Sequence, residues 1–149
     1  MDNKKIIDEL TSLLQLDHDA ASAYDAAIDK FGEGDIKEHL KQFRDDHNRH
    51  VIELSNTIDS LGVKAPVPEL VITDAIANGI LSLQNEKNKQ AVLDTLYMVE
   101  QITNKSYGDA MNQQFPEQLK NLLQRNLSDE QRHREFISSE LPVTQAPAF

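Results

Sequence analysis

The sequence contains no cysteine, and aromatic residues make up only 5% of its 149 residues. The absence of cysteine excludes disulfide bonds, thiolate chemistry and cysteine-ligated iron or zinc, and it allows a cytosolic location. Turn formers are also scarce, because the chain has only five glycines and five prolines. Alanine, leucine, glutamine, lysine, glutamate and aspartate are abundant instead. This composition favours helices over strands.

Long apolar runs are missing as well. The first ten residues, MDNKKIIDEL, lack the apolar core of a signal peptide, and no segment is long and apolar enough to span a bilayer. Acidic residues outnumber basic ones by 25 to 15, so the net charge is −10. A strongly acidic surface argues against nucleic acid and anionic membranes as partners. We therefore expect one cytoplasmic domain with a single core, since 149 residues is an ordinary domain length.

Four segments carry apolar residues at alternating steps of three and four. This is the pattern of a helix in which one row of side chains, here called the seam, faces the core of a bundle. In the first segment the seam runs from Ile6 to Phe31, and Gly32 and Gly34 then end the helix. Asp35 is the expected N-cap of the second helix. We predict long helices at about residues 3–31, 35–61, 88–114 and 117–140.

The segment between the second and third helices is a crossover. The glycine and prolines that follow the second helix prevent its continuation. Apolar residues then recur at helical spacing from Ile72 to Leu83 and predict a short helix within residues 69–84. The predicted fold is therefore an all-α, antiparallel four-helix bundle in which two helical hairpins are joined by a long crossover. The bundle should span residues 1–140, and residues 141–149 form an irregular C-terminal tail.

Polar residues interrupt the seams near the middle of each long helix. Burial of an ionisable side chain in a bundle core is costly unless that side chain is paired or binds a metal ion. The polar seam residues are Asp17, His47, His50, Glu100, Asn126, Glu130 and His133.

Most of these residues should meet in one layer. Asp17 and His47 are equidistant from the glycine turn between the first two helices, and Glu100 and Glu130 are equidistant from the turn between the last two, 15 residues in each case. Residues equidistant from the turn of an antiparallel hairpin lie side by side, here roughly 22 Å from each turn at about 1.5 Å per residue. We therefore predict a metal site at mid-bundle with the ligands Asp17, His47, His50, Glu100, Glu130 and His133.

The two halves of the chain also repeat each other without a gap. Adding 83 to a residue number in the first half gives its counterpart in the second half. A repeat of this kind implies a pseudo-twofold axis that passes through the site. The matched pairs are Asp17 and Glu100, Tyr24 and Tyr107, Asp46 and Asp129, His47 and Glu130, Arg49 and Arg132, and His50 and His133.

This pattern resembles the ferritin-like di-metal carboxylate superfamily, whose bundles carry one carboxylate on each of two helices and a Glu-x-x-His on each of the other two. The sequence EQRH, from Glu130 to His133, matches one Glu-x-x-His. Glu100 and Asp17 occupy the places of the two lone carboxylates, and Tyr24 matches a tyrosine found near the metal site of ferritins. The crossover before AVLDTLYMVEQITNKSYGDAM is most similar to the small bacterial bundles of domain-of-unknown-function family 2383. Rubrerythrin-like and bacterioferritin-like bundles are more distant.

The chain departs from that superfamily at position 47, where HNRH replaces the other Glu-x-x-His. The resemblance implies a bridging glutamate there, and imidazole cannot bridge two ions through one face as a carboxylate does. Either one ion binds with His47 as a ligand, or two ions are bridged by Glu130 alone, with His50 and His133 as terminal ligands. Carboxylate and imidazole ligands suit iron, manganese or zinc. We expect one or two iron ions, with zinc and manganese as alternatives.

Two aspartates can extend the predicted site. Asp46 and Asp129 lie four residues before His50 and His133 and within reach along the same helix. They are either acceptors that orient the imidazole rings or solvated residues of the helix surface. The two matched tyrosines should lie one or two turns from the ligand layer, toward the hairpin turns.

Two functions remain open at this point. One is a ferritin-like metal-binding protein that oxidises ferrous iron or consumes peroxide. The alternative is a helical stress or interaction protein whose site is degenerate and has no redox chemistry. Cage-type iron storage is disfavoured, because no sequence feature points to cage assembly. The expected partners are metal ions, with a homodimer allowed and with neither nucleic acid nor membrane involved.

Overall fold

The computed structural model describes residues 1–70 and 74–142, and all regular secondary structure in those residues is helical. The predicted all-α class is therefore confirmed, and the four long helices begin and end within three residues of the predicted bounds. The helices are α1 (Asn3–Ile28), α2 (Asp35–Ser60), α3 (Ala75–Leu83), α4 (Lys89–Met111) and α5 (Glu117–Glu140).

The long helices pack as two hairpins. α1 lies against α2, α4 lies against α5, and α1 also packs on α4. Ion pairing between Arg44 of α2 and Asp25 of α1, at 3.3 Å, supports the antiparallel register of the first hairpin. α3 contacts both α1 and α4, whereas α2 and α5 touch along only a short stretch. The α2–α5 face is therefore the most open lateral face of this helical bundle.

Two apolar clusters fill the bundle on either side of a polar layer. One cluster contains Tyr24, Leu40 and Phe43 together with the buried face of α3. The other contains Leu10 and Leu54 and reaches the α4–α5 turn. Full burial of one such side chain contributes about 1.5–3 kcal/mol relative to exposure. The two clusters therefore offset the cost of the polar layer that separates them.

The crossover helix α3 is capped by Asp74, whose side chain accepts a hydrogen bond of 2.9 Å from the backbone N–H of Ile76. Ile76 and Leu83 are buried against the first apolar cluster, as the helical spacing predicts. Ile72, and residues 143–149 of the predicted tail, lie outside the described residues. None of the helices in the described part of the chain has an apolar stretch of membrane-spanning length.

The turn between α1 and α2 depends on Gly34. Its φ of 151° lies in a region that residues with a Cβ atom rarely adopt. Gly34 is also the N-cap residue of α2, so the prediction that Asp35 is the N-cap is wrong. The chain must reverse direction immediately before α2, and this backbone requirement outweighs the side-chain preference for aspartate at the cap. Asp35 and Glu38 instead place negative charge in the first turn, where the helix dipole favours it.

Replacement of Gly34 by alanine should lower the free energy of unfolding by about 1–3 kcal/mol, because alanine would be strained at this φ. The matched control is Gly32→Ala in the same turn, where φ is not positive and a Cβ atom would meet no neighbour within 4 Å. Gly32→Ala should be neutral or stabilising by up to about 1 kcal/mol. Urea unfolding of both variants tests this difference, and equal destabilisation would contradict the role assigned to Gly34.

Candidate metal centre

Six ionisable side chains converge in one layer at the middle of the bundle. Each lies on a seam between apolar residues of the two clusters, and each is fully shielded from solvent. α1 and α4 supply one residue each, whereas α2 and α5 each supply two residues one turn apart. The six are those predicted from the sequence: Asp17, His47, His50, Glu100, Glu130 and His133.

These side chains form two overlapping groups, each of which can hold a cation. Within each group the nitrogen and oxygen ligand atoms all lie within 4.8 Å of one another. His47 and Glu130 belong to both groups. The first group adds Asp17 and His50, and the second adds Glu100 and His133.

Glu130 connects the two groups through its two carboxylate oxygens. Its Oε1 lies 3.3 Å from Nδ1 of His50, and its Oε2 lies 3.6 Å from Nδ1 of His133. Each histidine also faces a second carboxylate. Nδ1 of His50 is 3.0 Å from Oδ1 of Asp17, and Nδ1 of His133 is 3.3 Å from Oε2 of Glu100. One oxygen of Glu130 is thus directed into each group, as a carboxylate that bridges two ions requires.

His47 lies between the groups, at the position where a second bridging glutamate is expected. Its Nδ1 is 2.8 Å from Oδ1 of Asp17, and its Nε2 is 3.1 Å from Oε2 of Glu100. Burial opposes protonation of the ring. The negative charge of Glu100 and the hydrogen bond to Asp17 outweigh burial and raise the pKa of His47 to about 10. In the metal-free protein the ring is therefore an imidazolium that donates one hydrogen bond into each group.

Of the three carboxylates in the layer, Glu130 accepts the fewest hydrogen bonds. Both of its oxygens are buried, and neither accepts a hydrogen bond from the residues that the structure describes. Burial, reinforced by the negative charges of Glu100 and Asp17, raises the pKa of Glu130 well above its ordinary value. Burial acts on Asp17 and Glu100 too, but the neighbouring histidines outweigh it and lower the pKa of both. A cation beside Glu130 would supply the missing partner, so this donor set fits a bound metal ion.

Two aspartates hold the terminal histidines from outside the layer. Oδ2 of Asp129 lies 2.9 Å from Nε2 of His50, and Oδ2 of Asp46 lies 2.7 Å from Nε2 of His133. Of the two alternatives left open, these distances support the acceptor role, but the expected pairing within one helix is wrong. Because Nδ1 of each ring faces the ligand groups, Nε2 points at the opposite helix and meets the aspartate there. A hydrogen bond at Nε2 leaves Nδ1 free to bind a metal ion.

Arg49 and Arg132 complete a polar cover over these hydrogen bonds. Arg132 donates to Oδ2 of Asp46 at 2.8 Å, and Arg49 donates to Asp129. Burial alone would raise the pKa of both aspartates, but hydrogen bonds from histidine and arginine lower it. Both arginine side chains are half exposed, so the cover lies at the surface between α2 and α5. The aspartates beneath it therefore remain anionic acceptors for the histidines.

Two tyrosines also reach the ligand layer. The hydroxyl of Tyr24 donates to Oε2 of Glu100 at 2.6 Å, and the hydroxyl of Tyr107 donates to Oδ2 of Asp17 at 2.5 Å. The prediction placed both residues one or two turns away, which underestimates the reach of the phenol rings. Burial, reinforced by the facing carboxylates, raises the pKa of both tyrosines well above the ordinary value. They are therefore neutral donors that orient the carboxylates.

Three further polar residues make contacts that were not predicted. Thr103 donates to Oε1 of Glu100 at 3.1 Å, and Asn126 donates to the hydroxyl of Tyr107 at 3.3 Å. Asn104 donates to backbone oxygens of both α4 and α5, at 2.6 and 2.9 Å. Thr103 and Asn126 occupy seam positions, so their burial was foreseeable. Asn104 lies beside the seam and carries no such signal.

Comparison with known families gives one match. The family described as Domain of unknown function (DUF2383) matches residues 5–113, well over half of the chain. The protein belongs to the DUF2383 family. The resemblance to this family inferred from the sequence is therefore confirmed, and α5 lies beyond the matched region. No curated protein and no solved structure matches the DUF2383 chain.

Glu130→Gln should stabilise the metal-free DUF2383 protein, because glutamine has nearly the same size and carries no charge beside the other carboxylates. The folded-state pKa of Glu130 is raised above the ordinary value of 4.5. The stability contributed by this group is therefore complete below pH 4.5 and is lost as the pH rises, by at most about 1.4 kcal/mol per pH unit up to the folded-state pKa. The advantage of the variant should be smallest near pH 4 and should grow toward pH 7.

Urea unfolding of chelator-treated protein across this pH range measures the effect. Glu135→Gln is the matched control, since Glu135 is exposed on the same helix. A stability difference between Glu130→Gln and the parent that does not change with pH would contradict the account of Glu130.

Proposed function

We propose that this protein is a ferritin-like metal-binding bundle, spanning residues 1–140, that holds two divalent ions in adjacent sites. The observation that carries the proposal is the environment of Glu130. Its two buried oxygens lack hydrogen-bond donors among the described residues, and each is directed into a different ligand group. A buried carboxylate of this kind is costly unless a cation or a proton compensates it. Two cations bridged by Glu130 would engage both oxygens at once.

The remaining ligands divide between the two sites. Asp17 and His50 would complete one site, and Glu100 and His133 would complete the other. The aspartates at Nε2 of the two terminal histidines fix the ring orientation that presents Nδ1 to the ion. His47 has two roles open to it. It becomes a ligand by losing a proton, or it stays protonated and partly neutralises Asp17 and Glu100 through its hydrogen bonds.

Iron is the first choice for the metal, with manganese and zinc as alternatives, because the ligands are carboxylates and imidazoles without thiolates. The three carboxylates Asp17, Glu100 and Glu130 contribute −3 against +4 for two divalent ions. Such a site should stabilise ferric states less well than the four carboxylates that the superfamily pattern provides.

The activity that we propose for this site is oxidation of ferrous iron or consumption of peroxide. When bound, a pair of ferrous ions would supply two electrons, one from each ion as it becomes ferric, and these would reduce one molecule of hydrogen peroxide, with two protons, to two molecules of water. The chain itself binds and orients the ions, and the two apolar clusters exclude bulk water from the layer. The tyrosine hydroxyls keep Asp17 and Glu100 in place.

A helical stress or interaction protein without redox chemistry is the second candidate, and one observation favours it. The His47 imidazolium is hydrogen bonded to both Asp17 and Glu100, so part of the buried charge is balanced without a metal ion. This balance does not extend to Glu130, whose oxygens lie outside hydrogen-bond geometry to the ring. The amount of bound metal therefore distinguishes the two candidates.

The purified protein should contain iron, manganese or zinc, and Glu130→Gln should lose most of it, because no other carboxylate is shared by the two groups. Glu135→Gln, exposed on the same helix, should retain the metal content of the parent. Elemental analysis after dialysis, followed by titration of the metal-free protein with each of the three ions, measures both quantities. A parent protein that binds none of these ions would reject the proposed function and favour the second candidate.

His47→Glu should raise occupancy by a second ion, because glutamate supplies the missing bridging carboxylate and adds negative charge to the layer. The expected result is a stoichiometry closer to two ions per chain and faster oxidation of ferrous iron at the same pH. His39→Glu is the control, since it makes the same substitution on the same helix at a half-exposed position outside the layer. If the parent already binds two irons tightly and His47→Glu changes neither quantity, the account of position 47 is wrong.

A further inference from the structure

A groove runs along the open α2–α5 face on one side of the metal centre. It consists of two adjoining cavities that both open to solvent, one of about 530 Å³, here called outer, and one of about 460 Å³, here called inner because Asn126 and Asp129 line it. Glu53 and Arg125 line both cavities and therefore mark their junction. Asn126 and Asp129 form part of the inner wall. The groove thus leads from the surface toward the residues that support the ligand layer.

The internal repeat allows the two sides of the metal centre to be compared, and in the described part of the chain the residues at equivalent positions differ. On the other side, His39 and Phe136 stack with ring centroids 4.0 Å apart, and Phe43 lies 5.5 Å from Phe136. Phe43 in turn stacks on His133 at 4.3 Å. Aromatic rings therefore cover the His133 side of the α2–α5 face, whereas the His50 side carries two cavities that open to solvent and have both polar and apolar walls. By the 83-residue repeat, His39 corresponds to Leu122, Phe43 to Asn126, and Glu53 to Phe136.

Glu53 is a carboxylate with unused bonding capacity at the junction of the two cavities. It lies one turn after His50 on α2. Its Oε1 is buried and accepts no hydrogen bond from the described parts of the chain. Nε of Arg49 forms an ion pair with that oxygen at 3.6 Å, and the positive charges of Arg49 and Arg125 both lie on the wall of the inner cavity, so an entering cation has to compete with them. A divalent cation that enters the groove would therefore meet a carboxylate oxygen that no hydrogen bond occupies.

The inner cavity is connected to the first ligand group by short hydrogen bonds. Asn126 on its wall donates to the hydroxyl of Tyr107 at 3.3 Å, and Tyr107 donates to Asp17 at 2.5 Å. Asp129 on the same wall holds Nε2 of His50 at 2.9 Å. Two wall residues of the cavity thus support two ligands of one group, which places the cavity beside that group.

We propose that divalent cations reach the metal centre through this groove, with Glu53 as the carboxylate that binds each cation in transit. The proposal rests on the metal-binding function proposed above. Ions enter on the His50 side and meet the Asp17–His50 group first. The aromatic residues on the His133 side exclude an equivalent second route. Glu53 therefore governs how fast the centre fills, whereas the six layer residues govern how tightly it binds.

The test uses metal-free protein and Co²⁺, whose visible absorption reports ligation by carboxylate and imidazole. Rapid mixing gives the rate of binding, and equilibrium titration gives affinity and stoichiometry. Glu53→Gln should slow binding by about tenfold, the lower end of electrostatic effects on association rates, with affinity and stoichiometry unchanged. Asn126→Phe, which gives the open side the residue of the closed side, should slow binding as well.

Glu9→Gln is the matched control. Glu9 is also half-buried and lines a cavity, but that cavity, of about 240 Å³, lies between α1 and α4. Its binding rate should equal that of the parent. The route is overturned if Glu53→Gln binds Co²⁺ at the parent rate, if Glu9→Gln is slowed equally, or if Glu53→Gln weakens affinity without slowing binding. A parent that binds no Co²⁺ overturns the metal-binding function and the route together, so the two failures are distinguishable.

Discussion

The buried carboxylate of Glu130 sets the balance of charge at the centre of the bundle. It shares a layer with Asp17 and Glu100. Burial opposes protonation of His47 and His50, but the facing carboxylates outweigh it and raise the pKa of both rings. The hydrogen bonds of His47 go to Asp17 and Glu100, and those of His50 go to Asp17 and Asp129, so Glu130 accepts none from either ring. Glu130 must therefore bind a proton or face a cation. The other ligands of the layer are held in place by hydrogen bonds from tyrosine or to aspartate, whereas Glu130 accepts none from the described residues.

The same layer also ties the two hairpins together. The apolar contacts within each hairpin are extensive, but α2 and α5 meet only briefly, so the hairpins need specific links across the bundle. Each polar link joins a residue of one hairpin to a residue of the other, and the links come in pairs related by the 83-residue repeat. They are Tyr24 with Glu100, Tyr107 with Asp17, Asp46 with His133, and Asp129 with His50. The pseudo-twofold symmetry inferred from the sequence therefore appears in the structure as two pairs of equivalent hydrogen bonds between the hairpins.

Helical periodicity and distance from a turn were enough to predict which residues enter the layer, because the first fixes the face of a helix and the second fixes the level along it. Neither quantity fixes which facing side chain a group will meet. Asp129 was therefore expected to orient His133 on its own helix, yet it holds His50 on the opposite one. The contact of the Tyr24 hydroxyl with Glu100 was missed for a related reason. Counting residues gives the level of the backbone, and a long side chain can reach a ligand layer two turns away. The cap at Gly34 depends on φ, which residue preferences alone do not determine.

The places where the repeat is broken distinguish a binding site from a packed core. A core built only for stability would close both sides of the α2–α5 face alike, and Phe43 and Phe136 show that the chain can do so. Instead, the corresponding positions hold Asn126 and Glu53, which line cavities where the other side has aromatic rings. Inside the layer, the repeat pairs His47 with Glu130. Glu130, which accepts no hydrogen bond from the described residues, therefore lies next to a ring whose two N–H groups already donate to Asp17 and Glu100. Buried carboxylate oxygens that accept no hydrogen bond from the described residues, together with solvent-open cavities on one side, are expected of a centre that receives ions from solvent.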